Sequence, residues 1–341
     1  MNLIIESIGR PIEKDFSKTS VAHARNSVIL SDIINADIVT CERDMHLADG
    51  KTYDNIICCY ASPYMKYKKL IDIANRNPQA KLWWFVNDHD LEDNILLRNV
   101  LKDSNGKRKI NMICNNSREN YRGWILRKKM KDHDGNLMGL LDDFIVEWHT
   151  LNLNALIYSY NIEYDWFDKA EDIIYYGTMR KWRLDYLRKY QSVIDFSCTS
   201  RTQKKFIANG VHQCRFTDKL SWQRGHERLR HYKFSLYVED PHTHDHYAFM
   251  ANRFYEALMC NVITIFDRSC LNTIKRSGYD GKYIDAAFIV DNKRQLKECV
   301  KHWGRQKNFE YALLQNDVFR LQAKKEHDDV VKQLQYIFKE V

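Results

Sequence analysis

Apolar residues fall along this chain in short runs that alternate between strand-like and helix-like spacing. The stretch NRFYEALMCNVITIFD (252–267) shows both in succession. Phe254, Leu258 and Met259 recur at helical spacing, and Val262 to Phe266 form a β-branched apolar run suited to a strand buried on both faces. Asn261 lies between them, where a residue that tolerates left-handed backbone suits a helix end.

The same alternation runs from the start of the chain. Leu3-Ile4-Ile5 predicts a strand, and a polar loop through Gly9 and Lys18-Thr19-Ser20 leads to a helix over 22–35. Strands follow at 37–39 and 53–60, then a helix that Pro63 starts and that carries Tyr67, Leu70 and Ile71 to about Asn75. KLWWFV (81–86) is a continuous apolar strand that ends at Asn87-Asp88-His89-Asp90, followed by a helix near 91–102 and a strand near 110–114. Residues 144–160 read as a crossing between domains. A second series then begins: strand 172–176, helix 180–190, strand 193–196, helix 201–209, strand 234–238, the 252–267 unit, strand 286–290 and helices to the end. Strand and helix at these intervals predict doubly wound parallel sheets, hence an α/β fold of two domains. The expected division is residues 1–165, residues 166–310, and C-terminal helices over 311–341 that pack back on the first domain. Two such halves facing a central cleft would put Asp88 and Glu256 on opposite walls.

Composition changes this picture little. The chain of 341 residues is 44% hydrophobic and 29% charged, which is globular, and holds no apolar run of about 18 residues, so no membrane span is expected. MNLIIESIG has no basic region or cleavage site, so no signal peptide is expected either. Nine cysteines without a CxxC pair read as reduced residues, in keeping with a cytoplasmic location, the host cytoplasm if the chain is viral. Charge adds more. Between Arg98 and Lys131 eleven Lys or Arg stand against two acids, enough to account for the whole excess of +8. A patch of that sign attracts polyanions.

Four places carry candidate chemistry. Arg253 and Glu256 lie three apart near a helix start and so share a face. A guanidinium there suits phosphates and a carboxylate one turn on suits a ribose diol, although the pair taken alone favours an exposed salt bridge. Tyr176-Gly177-Thr178-Met179-Arg180-Lys181-Trp182-Arg183 follows a strand and opens a helix: Gly177 permits close backbone approach, and Arg180, Lys181 and Arg183 could neutralise a diphosphate, or form a solvated basic turn. Asp88 emerges from a buried strand at the edge where doubly wound sheets bind ligands, placed to deprotonate a hydroxyl, with a helix-capping aspartate before Leu91 as the plain alternative. His242, His244 and His246, with Asp240 and Asp245, have weak metal spacing and read instead as a loop lining a phosphate site. Asp88, Asp90, Glu92 and Asp93 could bind Mg²⁺ or Mn²⁺ loosely, although a solvated helix start explains the last two.

The ordered pieces YDNIICCYAS, KLWWFVND, DIIYYGTMRKWR, NRFYEALMCNVITIFD and AFIVDNKRQL resemble the GT-B glycosyltransferases, and among them the phage DNA glucosyltransferases that modify 5-hydroxymethylcytosine. The resemblance implies a GT-B fold and a UDP-sugar donor. It places Glu256 on the donor ribose, Arg253, Arg180 and Arg183 on the diphosphate with Gly177 beside them, and Asp88 at the reacting hydroxyl. The basic segment, through Arg122, Arg127, Lys128 and Lys129, with His89 next to Asp88, is expected on its charge to meet a duplex DNA acceptor. The chain departs from the family in two places: Asn261-Val262-Ile263 stands where many members have Gly-Thr-Pro, and no glycine pair occurs at Tyr176-Gly177. The expected protein is therefore a monomeric enzyme that glucosylates hydroxymethylated pyrimidines in bacteriophage DNA. A GT-B transferase acting on a glycan, protein or small molecule is one alternative. A non-catalytic nucleic-acid-binding protein is the other.

Overall fold

The structure is a computed structural model that describes residues 1–6, 22–39, 44–60, 67–86, 100, 103–105, 107–120, 144–159, 169–177, 180–220, 228–239, 249–279 and 286–339. It divides into two units: Met1–Leu156 with Asp328–Val341, and Ile157–His327. Each is built on a six-stranded, fully parallel sheet, so the fold is α/β with two Rossmann-like halves.

In the first unit the strands are β1 (Asn2–Glu6), β2 (Ala36–Val39), β3 (Asn55–Tyr60), β4 (Lys81–Val86), β5 (Ile110–Cys114) and β6 (Ile145–Thr150), ordered β2-β1-β3-β4-β5-β6. Leu3, Ile5, Ile56, Leu82, Trp84 and Met112 bury one face of the sheet. Their strand neighbours Ile4, Ile57, Trp83 and Ile113 are buried on the other. Burial on both faces is what continuous apolar strands require. Helices α1 (Ala22–Ile34) and α2 (Tyr67–Arg76) supply two of the crossovers. Arg108, one of the eleven cations in the basic segment, ties local structure together: its guanidinium donates to the carbonyls of Ala74, Asn77 and Ala80 at 2.8, 3.1 and 2.8 Å. Arg118 donates to the Ile145 carbonyl, and Lys109 lies over the Phe144 ring.

In the second unit β7 (Glu171–Tyr176), β8 (Asp195–Cys198), β9 (Arg215–Asp218), β10 (Tyr232–Tyr237), β11 (Ile263–Asp267) and β12 (Ile289–Val290) are ordered β12-β11-β10-β7-β8-β9. Successive connections therefore turn one way after β7 and the other way after β10. This is the strand order of dinucleotide-binding sheets, with a crevice at the carboxyl ends of its two central strands. The helices are α3 (Leu184–Tyr190), α4 (Ser200–Ala208), α5 (Asn252–Met259), α6 (Leu271–Arg276), α7 (Lys293–Trp303) and α8 (Gln306–Ile337). The last of these begins in the second unit and ends in the first.

The junction of α5 and β11 shows how local chemistry sets up the sheet edge. Asn261 has φ +53°, the Val262 amide donates to the Ala257 carbonyl at 2.8 Å, and the Asn261 amide donates to Leu258 at 3.1 Å. That is the Schellman pattern for ending a helix. Asn35, between α1 and β2, takes the same left-handed geometry (φ +48°). Next to the α5 turn, the buried Lys169 ammonium donates to the carbonyls of Arg230, Tyr232 and Cys260 at 2.8, 3.0 and 3.1 Å.

Three expectations need correction. Residues 144–160 contain a sixth strand, β6, where only a crossing was expected, and β9 was not anticipated. The helix expected over 180–190 is a short 3₁₀ turn, Lys181–Arg183, followed by α3.

Candidate functional site

The carboxyl ends of β7 and β10 flank the crevice of the second sheet, and the expected donor residues gather there. Gly177 follows β7 directly. Its φ of +156° is tolerated by glycine alone, and a Cβ there would lie 3.3 Å from Tyr175 Oη and 3.6 Å from Arg183 Nη1. Both backbone shape and close approach thus call for glycine. Arg180 precedes the 3₁₀ turn in extended conformation (φ −121°, ψ 138°) and is exposed, whereas Arg183 ends that turn and is buried. The structure therefore separates two arginines that the sequence groups together.

Arg183 turns toward Glu239, with Nη2 3.4 Å from Oε2. Arg253, on the first turn of α5, approaches the same carboxylate from the other side, with Nε 3.3 Å from Oε1. Arg253 has further supports of its own. Its Nη1 donates to the Val238 carbonyl at 3.1 Å, and its guanidinium carbon lies 5.7 and 5.9 Å from the Tyr175 and Tyr237 ring centroids. Cation–π attraction adds to the hydrogen bond there. Burial alone would lower the Arg253 pKa, but the Glu239 carboxylate outweighs it and the guanidinium stays charged.

Glu256 lies one turn along α5 and is only 5% exposed. Beside it Tyr176 donates to the Arg253 carbonyl at 2.9 Å. Burial first, and the Glu256 carboxylate second, push the Tyr176 phenol well above its ordinary pKa, so it stays protonated. The start of α5 is uncapped: Ala251 offers no side-chain oxygen, and its amide is spent on Tyr237 Oη at 2.8 Å. Around Arg253 the buried oxygens Tyr175 Oη, Glu239 Oε1 and Asn252 Oδ1 have no aligned hydrogen bond among the described residues. Cationic guanidiniums, an uncapped helix start and a buried carboxylate one turn on can together hold an anion and a diol.

Glu239 is not among the site residues expected from the sequence. A usable signal exists, because an acid that directly follows an apolar strand is the very pattern that singled out Asp88. Asp88 itself, His89, Arg122, Arg127, Lys128 and Lys129 lie outside the described residues. So do the histidines at 242, 244 and 246, Asp240 and Asp245, and the acids at 90, 92 and 93. Among the described residues no group of three His, Cys, Asp or Glu could hold a metal, and no helix is long and apolar enough to cross a membrane.

Two Rossmann-like units on parallel six-stranded sheets are the layout of the GT-B fold. The chain is similar over 97–100% of its length to solved structures of glucosyltransferases. It matches T4 phage β-glucosyltransferase in complex with its UDP-glucose substrate at 15% identity and TM-score 0.69, covering 100% of both chains. The same T4 phage enzyme with UDP and Mn²⁺ matches at 14% identity and TM-score 0.61, again over 100% of both. An α-glucosyltransferase in complex with UDP and a 13-mer DNA containing a HMU base matches at 10% identity and TM-score 0.56, over 97% of this chain and 99% of that one. At these identities the likeness establishes the fold. No protein-family model matches the chain, and no curated protein sequence matches it.

Proposed function

We propose that this protein is a glycosyltransferase that moves a sugar, most simply glucose, from a UDP-sugar to a hydroxymethylated pyrimidine in duplex DNA. The observation that carries the reading is the likeness over 97–100% of the chain to enzymes solved with UDP-glucose, UDP and DNA. It is joined by a buried arginine, Arg183, and a half-buried one, Arg253, at the crevice of the second sheet, where a diphosphate would lie.

In this reading Glu256 accepts hydrogen bonds from the ribose hydroxyls, while Arg253, Arg183 and the exposed Arg180 face the diphosphate, with Gly177 letting the backbone come close. Asp88 takes the proton of the acceptor hydroxymethyl group. The freed oxygen bonds to the anomeric carbon as the bond from that carbon to the diphosphate oxygen breaks, and UDP leaves with the electron pair. The guanidiniums stabilise the charge that develops on the leaving group. Phosphate contacts from Arg122, Arg127, Lys128 and Lys129, with His89 near the base, would position the duplex without reading its sequence. A hydroxymethyl group on a stacked base cannot reach a side chain in a crevice, so the target nucleotide is flipped out at a cost of about a few kcal/mol. The acids that could hold Mg²⁺ or Mn²⁺ lie outside the described residues.

The test is mass spectrometry of nucleosides from hydroxymethylated duplex DNA treated with the protein and UDP-glucose. A hexose adduct on the modified base is expected. UDP release with the hexose on another acceptor would favour a GT-B transferase with a different acceptor, and no UDP release under any condition would end the enzymatic reading. Asp88→Asn should lower turnover by ~10²–10⁴-fold while leaving UDP affinity intact. A loss below about tenfold would count against the assignment of the base.

A further inference from the structure

If the donor's diphosphate binds where proposed above, and this inference rests on that reading, it must share the two arginines with a carboxylate already in place. Arg183 and Arg253 both face Glu239, whose side chain is 3% exposed. Two cations to one anion leave the trio with a net positive charge. The fit is also loose: 3.4 and 3.3 Å exceed the ~2.7–2.9 Å of close charge-assisted hydrogen bonds. Among the described residues Glu239 Oε1 has no aligned hydrogen bond. Moreover, Arg253 does not depend on Glu239 for its place, since the Val238 carbonyl and the Tyr175 and Tyr237 rings hold it independently.

The geometry points to Glu239 as a resident counter-anion, a positioning residue that balances the two arginines while the site is empty and opposes the diphosphate when it is filled. Two like charges facing one point, one buried and the other half-buried, would be destabilising without a counter-ion. The carboxylate removes that cost, and its fixed charge then works against every phosphate that arrives. The consequence is kinetic as well as thermodynamic: Glu239 keeps the product nucleotide from being held so tightly that its release limits turnover.

A purely structural Glu239 makes the opposite forecast, because losing it would loosen the arginines and weaken anion binding. Calorimetry on the full chain separates the two, with UDP, inorganic pyrophosphate and uridine as probes. Glu239→Gln should bind UDP and pyrophosphate about tenfold more tightly than the natural protein, the scale of one charge a few ångströms away in a partly screened site. Uridine, which lacks phosphates, should show no such gain. Glu239→Asp, which keeps the charge, should stay within about twofold of the natural protein. If Glu239→Gln is too unstable to titrate, its melting temperature should rise more with UDP than that of the natural protein, and an equal or smaller rise would overturn the inference. Unchanged or weaker UDP binding by a folded Glu239→Gln overturns it too, as does a gain in Glu239→Asp equal to that in Glu239→Gln, which would trace to packing. Failure of the natural protein to bind UDP would instead remove the proposed function, and this inference with it.

Discussion

Glu256 holds a carboxylate where burial would be costly without partners, one turn beyond an arginine whose own carbonyl is tied to Tyr176. If it receives the ribose diol, Glu256→Ala should weaken UDP binding by about 1–3 kcal/mol, the range for hydrogen bonds to a charged group. The loss should be much smaller for 2′-deoxy-UDP, and equal losses for the two nucleotides would return Glu256 to a structural role. That Arg253 and Glu256 lie one turn apart on a single helix was legible from helical periodicity, whereas the carboxylate that Arg253 faces, Glu239, was not. Arg180 and Arg183 were harder. A three-residue spacing suggests a shared face, but Arg180 sits in extended backbone before the 3₁₀ turn and so escapes helical spacing. Glu239 was overlooked for another reason: its partners come from the turn after β7 and from α5, far apart in sequence.

At the scale of elements, strands buried on both faces were readable, and two exposed edge strands were not. KLWWFV and VITIF carry their burial in their composition. By contrast β6 and β9 have one neighbour each, lie largely outside the apolar interior, and have little pattern to read. Asn261 was readable because few residues other than glycine accept left-handed geometry at a helix end. Lys169 left no signal, since a lysine before a strand normally points to solvent. In the folded protein, burial lowers its pKa from 10.5 to about 8, partly offset by the neighbouring Cys260 thiol. Between about pH 8 and 10.5 the unfolded chain then keeps this proton and the folded protein sheds it. The unfolded state binds more protons in that window, so the folded state gains stability as pH rises through it. Chemical denaturation of the natural protein and of Lys169→Met should show a stability difference that shifts in favour of the natural protein from pH 8 to 10.5. A difference that stays flat would mean that the ammonium is not desolvated as the geometry implies.

For the whole molecule, alternating strands and helices disclosed two wound halves, but not the order of strands within each sheet. Periodicity says which residues are buried, while strand order depends on which way each crossover turns. Net charge was informative and also overcounted, because Arg108 and Arg118 spend their guanidiniums on backbone carbonyls and Lys109 lies on an aromatic ring. If Arg127, Lys128 and Lys129 serve the duplex, binding should fall by roughly 0.9 log units per log unit of salt for each phosphate neutralised. The triple alanine variant should flatten that slope and raise the KM for DNA, with UDP affinity unchanged. An unaltered slope would move the DNA surface elsewhere.

Helix α8 also imposes an order of events on synthesis. The strands of the first unit leave the ribosome early, yet Asp328–Val341 belongs to that unit, with Val330, Leu334 and Phe338 buried and Phe338 packed 4.9 Å from the Trp83 ring. The half made first is thus finished last. Until translation reaches this tail, the nascent first unit keeps the Phe338 side of Trp83 uncovered, and domains that wait in this state expose apolar surface to aggregation.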